Sequence, residues 1–150
     1  MYGAKEALPE YENVRRAVLD RLGPHRSPLL IAIDGADGIG KSSFASWLAW
    51  QTGMPSVHLD LYTTDLRQWR TDELRRVINK RLDLGMPVIV EGVLALDALD
   101  QGGLKANFLI YVQGEGSGGR TITERLVEYR SRQKPEQKAH CSLAGYVEIP

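Results

Sequence analysis

The sequence predicts an α/β fold: a parallel sheet of five strands with helices on both faces, a three-layer α/β/α arrangement. Three observations carry this. Short apolar runs alternate along the chain with helical segments, the pattern left by strands joined through crossover helices. The first strand, 29–33 (Leu-Leu-Ile-Ala-Ile), is apolar without alternation, as a strand covered on both faces must be. A glycine-rich turn, Asp60 and Glu91 each fall at the carboxyl end of a predicted strand, where parallel sheets hold their ligands.

Residues 9–22 read as a helix. Tyr11, Val14, Val18 and Leu22 recur at helical spacing, and Gly23-Pro24 stops the run. The strand at 29–33 enters the glycine-rich turn at 35–40. Helical periodicity resumes over 41–51, with Phe44, Trp47, Leu48 and Gln51 on one side and Trp47 and Trp50 read as helix packing. A second strand is expected at 56–60. Thr71 suits a cap, Asp72 and Glu73 suit a helix's positive end, and Leu74, Val77, Ile78 and Leu82 form a stripe, so 72–84 is helix until Gly85 and Pro87 end it. Strands are expected at 87–91 and 107–112. A glycine-rich stretch, 114–119, precedes a basic helix over 120–132, and 145–149 suits a short fifth strand.

The 150 residues suit one domain. Apolar and charged fractions of 43% and 25% argue against general disorder. Lys plus Arg and Asp plus Glu both number 19, so no bulk charge favours nucleic acid or an anionic membrane as a partner. No apolar run approaches the ~20 residues that span a bilayer, and the first 16 residues hold mixed charges without an apolar core, unlike a secretory signal. The single cysteine, Cys141, cannot pair within the chain and fits a reducing compartment. A cytoplasmic location is the expectation.

Residues 35–42, Gly-Ala-Asp-Gly-Ile-Gly-Lys-Ser, satisfy G-x-x-x-x-G-K-[ST] without mismatch. Glycines let the backbone curl so that successive N–H groups face one anion. The helix that follows adds partial positive charge. The expected nucleotide contacts are therefore Gly35, Ala36, Asp37, Gly38, Ile39, Gly40, Lys41, Ser42 and Ser43, with Lys41 on the β- and γ-phosphates and the Ser42 hydroxyl on Mg²⁺. Asp34 either hydrogen-bonds backbone groups or organises metal waters; Asp37 is either solvated or part of the site.

Phosphoryl transfer needs a positioned acceptor, and a carboxylate can orient its hydroxyl and take its proton. Asp60 is the candidate for that role, against a capping role. Glu91 follows buried residues and needs partners there; a water-mediated contact to Mg²⁺ would supply them, as would an ion pair. Tyr62, Arg67 and Arg70 suit substrate stacking and hydrogen bonding, or an ordinary helix surface. His58 reads as packed or hydrogen-bonded. On the late helix, Arg130 and Arg132 are the candidates for stabilising transition-state charge, while Arg125, Glu124 and Glu128 read as a solvated face. His25 and His140 show no metal-ligand spacing.

These residues resemble P-loop kinases of the uridine kinase-like group. The resemblance rests on Ile-Asp-Gly-Ala-Asp-Gly-Ile-Gly-Lys-Ser-Ser at 33–43, Val-His-Leu-Asp-Leu-Tyr at 57–62, Pro-Val-Ile-Val-Glu-Gly-Val-Leu at 87–94, and the strand plus arginine helix at 107–132. It implies a P-loop NTPase fold with strand order 2-3-1-4-5, Asp60 facing the acceptor hydroxyl, Glu91 near Mg²⁺, and a lid over 113–140 following an N-terminal helix and linker over 1–27. Leu61 stands where the family often has a second acid, and the insert between the second and third strands is short.

The resulting expectation is an ATP- and Mg²⁺-dependent transfer of a γ-phosphate to the hydroxyl of a small molecule, nucleosides among the candidates. A nucleoside monophosphate acceptor would need Arg67 and Arg70. The alternatives are a nucleotide-binding regulatory module and an ATPase with little acceptor-dependent turnover.

Overall fold

A computed structural model describes residues 9–64, 68–116 and 118–145. The chain begins with helix α1, Pro9–Leu22, then strand β1, Leu30–Gly35, and helix α2, Lys41–Thr52. Strand β2, Ser56–His58, passes directly into a 3₁₀ turn, Leu59–Tyr62. Helix α3, Thr71–Asp83, and strand β3, Val88–Gly92, follow. Helix α4, Ala95–Gln101, leads to strand β4, Phe108–Gln113. Helices α5, Arg120–Gln133, and α6, Pro135–Lys138, precede strand β5, Cys141–Ala144.

The five strands form one sheet in the order β2-β3-β1-β4-β5, and every pairing is parallel. The fold is the expected α/β class with the expected strand order. The unbroken apolar character of β1 has its cause in two cores. Ile31 and Ile33 face a cluster with Val14, Val18 and Leu22 of α1 and Phe44 and Leu48 of α2. Leu30 and Ala32 face the opposite cluster, with Leu74 and Ile78 of α3 and Ala98 and Leu99 of α4. Alternate residues of one strand serve alternate layers.

Several boundaries differ from expectation. The second strand stops at His58, two residues early, so Asp60 rides on the 3₁₀ turn. Thr71 is the first residue of α3 rather than its cap; Arg70 holds that position, with no side-chain cap bond. Trp47 packs as expected, 5.4 Å from the Tyr11 ring, but Trp50 is 78% exposed and stays out of the core. The fifth strand lies at Cys141–Ala144, where only Leu143 is buried, rather than at 145–149; residues 146–150 lie outside the described residues. Helices α4 and α6 are additions. Among the described residues no helix is long and apolar enough to cross a membrane.

Candidate functional site

The loop between β1 and α2 turns on glycines. Gly38 and Gly40 sit at φ 69° and 89°, values that side-chain-bearing residues adopt only at a cost. No side chain caps α2, and its N-terminal end, with the partial positive charge of the helix, faces the loop's interior. A cavity of about 480 Å³ opens here. Its lining includes Asp37, Gly38, Lys41, Ser42, Asp60 and Glu91. The end of β1, the end of β3 and the turn after β2 thus converge on one space, because these three strands are neighbours in the sheet.

Lys41 is buried, and its ammonium donates to the Ala36 carbonyl of its own loop. Burial lowers its pKa, opposed by the charges of Glu91, Asp34, Asp37 and Asp60. Glu91 is also buried. Its Oε1 accepts from the Ser42 hydroxyl at 3.1 Å and lies 2.6 Å from His58 Nδ1. Parallel pairing sets His58 beside Glu91 in register. Asp60 is exposed on the turn, and no hydrogen bond reaches its carboxylate from the described residues. Its backbone carbonyl accepts from the Thr63 hydroxyl at 2.9 Å.

The donors available to a metal are a hydroxyl and a carboxylate, and among the described residues no cluster of three or more His, Cys, Asp or Glu side chains forms a cation site. That donor set fits Mg²⁺, which takes hard oxygens, keeps several waters and shares its shell with phosphates.

Asp34 resolves to the backbone-bonding reading. It is buried, accepts from Tyr129 Oη at 2.6 Å, from the Gly35 N–H at 2.9 Å and from the Ala95 N–H at 3.4 Å. Burial raises its pKa, partly offset by these donors. Asp37 is not simply solvated: its Oδ1 is buried without a hydrogen-bond partner. Gly116 and Gly118 lie against it, and a Cβ on Gly116 would collide with that oxygen.

Among the described residues, the remaining candidates Tyr62, Arg70, Arg130 and Arg132 do not line the cavity. Tyr62 is half-buried and packs against the α3–α4 core. Arg70 is exposed and 4.0 Å from Glu73. Arg67 lies outside the described residues. Arg130 donates to the Gly114 carbonyl at 3.2 Å. Arg132 makes a two-pronged contact with Asp97 at 2.8 and 2.7 Å and pairs with Glu128 at 2.7 Å. Neither arginine lines the cavity. Gln133 adds bonds to Asp97 and Asp100 at 2.7 and 2.9 Å, so with Tyr129 the last turns of α5 are fastened to α4 and β1. The first turn of the expected lid helix is largely exposed, with Ile122 half-buried against the core, and among the described residues it makes no such hydrogen bond to another element. Tyr129 carried no signal in the sequence, since its partner lies 95 residues away.

No family model matches the chain, and no curated protein matches it. Among solved structures it is similar to a possible uridine kinase from Bacillus stearothermophilus, with a TM-score of 0.64 and 13% identity over 89% of this chain and 97% of that one. It is also similar to a sugar kinase from Janibacter sp., TM-score 0.44 and 16% identity over 82% and 87% of the two chains. A gluconokinase from Sinorhizobium meliloti gives 0.44 and 20% over 83% and 86%. At these identities the likeness shows the fold, that of the P-loop NTPases, and the first structure carries that statement.

Proposed function

We propose that the protein is a P-loop kinase resembling the uridine kinases, which transfers the γ-phosphate of ATP to a hydroxyl of a small molecule. The observation that carries the reading is the cavity that brings Lys41, Ser42 and the loop glycines to face Asp60 and Glu91. In this reading the loop N–H groups and the Lys41 ammonium hold the β- and γ-phosphates and neutralise the charge that develops on them. Ser42, and Glu91 through water, would hold Mg²⁺, which when bound would supply positive charge to the phosphates. Asp60, whose carboxylate receives no hydrogen bond from the described residues, aligns the acceptor hydroxyl and takes its proton as the new O–P bond forms and the bond to the ADP oxygen breaks. The cavity's lining offers only Lys41 as a cation among the described residues, which supports an acceptor that brings no phosphate of its own.

The test is Mg²⁺-dependent ADP release across nucleosides, nucleoside monophosphates and small polyols, with Asp60→Asn and Lys41→Ala alongside. The expected result is an acceptor that raises ADP release in the native protein and not in Asp60→Asn. Tight ATP binding with no acceptor dependence would refute the kinase reading and leave a nucleotide-binding module; equal hydrolysis with and without acceptors would leave an ATPase.

A further inference from the structure

The His58 imidazole serves no purpose in the mechanism above, yet it makes the shorter of the two side-chain contacts to Glu91. Its Nδ1 stands 2.6 Å from Glu91 Oε1, and it is only partly shielded from solvent, with 32% of the side chain exposed against 4% for Glu91. A carboxylate so buried is stable only with donors aimed at it. Two are present, and both meet the same oxygen: the His58 ring and the Ser42 hydroxyl, at 3.1 Å. Oε2 receives no hydrogen bond from the described residues. Ser42 has one proton to give, and giving it to Glu91 turns the lone pairs of its oxygen outward.

We propose that His58 is a positioning residue for the metal shell of the phosphate site: by donating from Nδ1 to Glu91 Oε1 it fixes the carboxylate so that Oε2, through water, and the Ser42 lone pairs are both available to a Mg²⁺ ion. This rests on the kinase reading of the same cavity and adds a residue to it. The physical basis is general. Groups that hydrogen-bond a metal-shell carboxylate set its rotamer and basicity, and their loss costs about 10–100-fold in metal affinity. Here the chain's topology supplies the arrangement, because β2 pairs with β3 with His58 directly opposite Glu91. A packing histidine would require none of this. It would not need its nitrogen on a carboxylate that also binds the loop serine.

The experiment measures Mn²⁺ affinity by electron paramagnetic resonance in the presence of a non-hydrolysable ATP analogue, for the native protein, His58→Ala, His58→Phe and His58→Asn. Binding of the same analogue without metal is measured in parallel. The expected result is metal affinity about 10-fold weaker or more in His58→Ala and His58→Phe, substantial recovery in His58→Asn, which restores a donor, and unchanged metal-free nucleotide binding in all three. A variant that fails to fold shows itself as loss of metal-free binding, and the inference is then decided on His58→Asn and on the nitrogen-15 spectrum of His58 in the native protein, which must report a protonated Nδ1. Unchanged Mn²⁺ affinity in His58→Ala or His58→Phe overturns the proposal, as does an unprotonated Nδ1. If the native protein binds no nucleotide at all, the kinase reading fails first, and this inference with it; native nucleotide binding with no effect of His58 overturns the inference alone.

Discussion

Replacing Tyr129 with Phe removes one oxygen from a position where water cannot take its place. Tyr129 is 2% exposed. Its hydroxyl donates to Asp34 Oδ2 at 2.6 Å and accepts from the Leu96 N–H at 3.1 Å. The first loss is a hydrogen bond to a charged group, about 1.5–3 kcal/mol, and the second leaves a partly buried N–H without its acceptor, about 1 kcal/mol or more. Taken together the variant should lose about 3 kcal/mol, which in a chain of this length lowers Tm by roughly 6–12 °C. The pH dependence sharpens the test. Burial raises the Asp34 pKa, and among the groups that pull it back the Tyr129 hydroxyl acts most strongly. A carboxyl whose folded pKa is raised binds its proton more tightly folded than unfolded, so its contribution to stability falls as pH rises through the folded pKa. Removing the phenol raises that pKa further. The deficit of Tyr129→Phe is therefore full above the variant's folded pKa and shrinks as pH falls through it. Urea unfolding of both proteins at pH 8 and pH 5 measures this. A deficit below about 1 kcal/mol, the value of an ordinary neutral hydrogen bond, would refute the clasp, and a deficit that grows as pH falls would refute the assignment to Asp34.

Three further outcomes follow from named contacts. Lys41→Met should weaken ATP binding about 100-fold, the loss of a charge-assisted contact of about 3 kcal/mol, while Tm holds or rises because a buried ammonium is removed; calorimetry and thermal melting check both. Gly92→Ala would set a Cβ 2.7 Å from Leu59 Cβ, an overpacking cost of about 1–3 kcal/mol that pushes on the turn bearing Asp60. Leu59→Ala would keep Leu59 Cβ but remove its Cδ1 and Cγ, which stand 2.8 and 3.0 Å from the new Cβ, so the double variant should cost less than the two single changes summed, as measured by denaturant unfolding. Arg132→Ala should leave nucleotide affinity and turnover unchanged, since its guanidinium is committed to Asp97 and Glu128; a large fall in turnover at unchanged stability would restore it to the site.

What the sequence made legible is what depends on neighbours in the chain. The phosphate loop is such a case: its glycines, lysine and serine are constrained by one turn and the helix it opens. The two-faced burial of β1 is another, since its lack of alternation states directly that both faces are covered. Errors gather where the deciding contact is distant or the segment is short. β2 ends at His58 because its register with β3 ends at Glu91, which no local pattern announces, so Asp60 looks like strand. α4 has seven residues and starts from Leu94 at φ 57°, too few for a period to show. Arg132 has Glu128 four residues away in plain view, but the partner that decides its role is Asp97, from another helix. Strand order then explains which predicted residues meet. β2, β3 and β1 are contiguous in the sheet, so the loop, Asp60 and Glu91 share one cavity although they lie far apart along the chain and belong to no common local motif. α5 follows β4, on the other side of β1, and its last turns are drawn to α4 instead. Asp60 and Glu91 share the cavity and Arg130 and Arg132 do not line it, because the former stand at the ends of strands that are neighbours in the sheet and the latter sit on a helix whose neighbours only the fold decides.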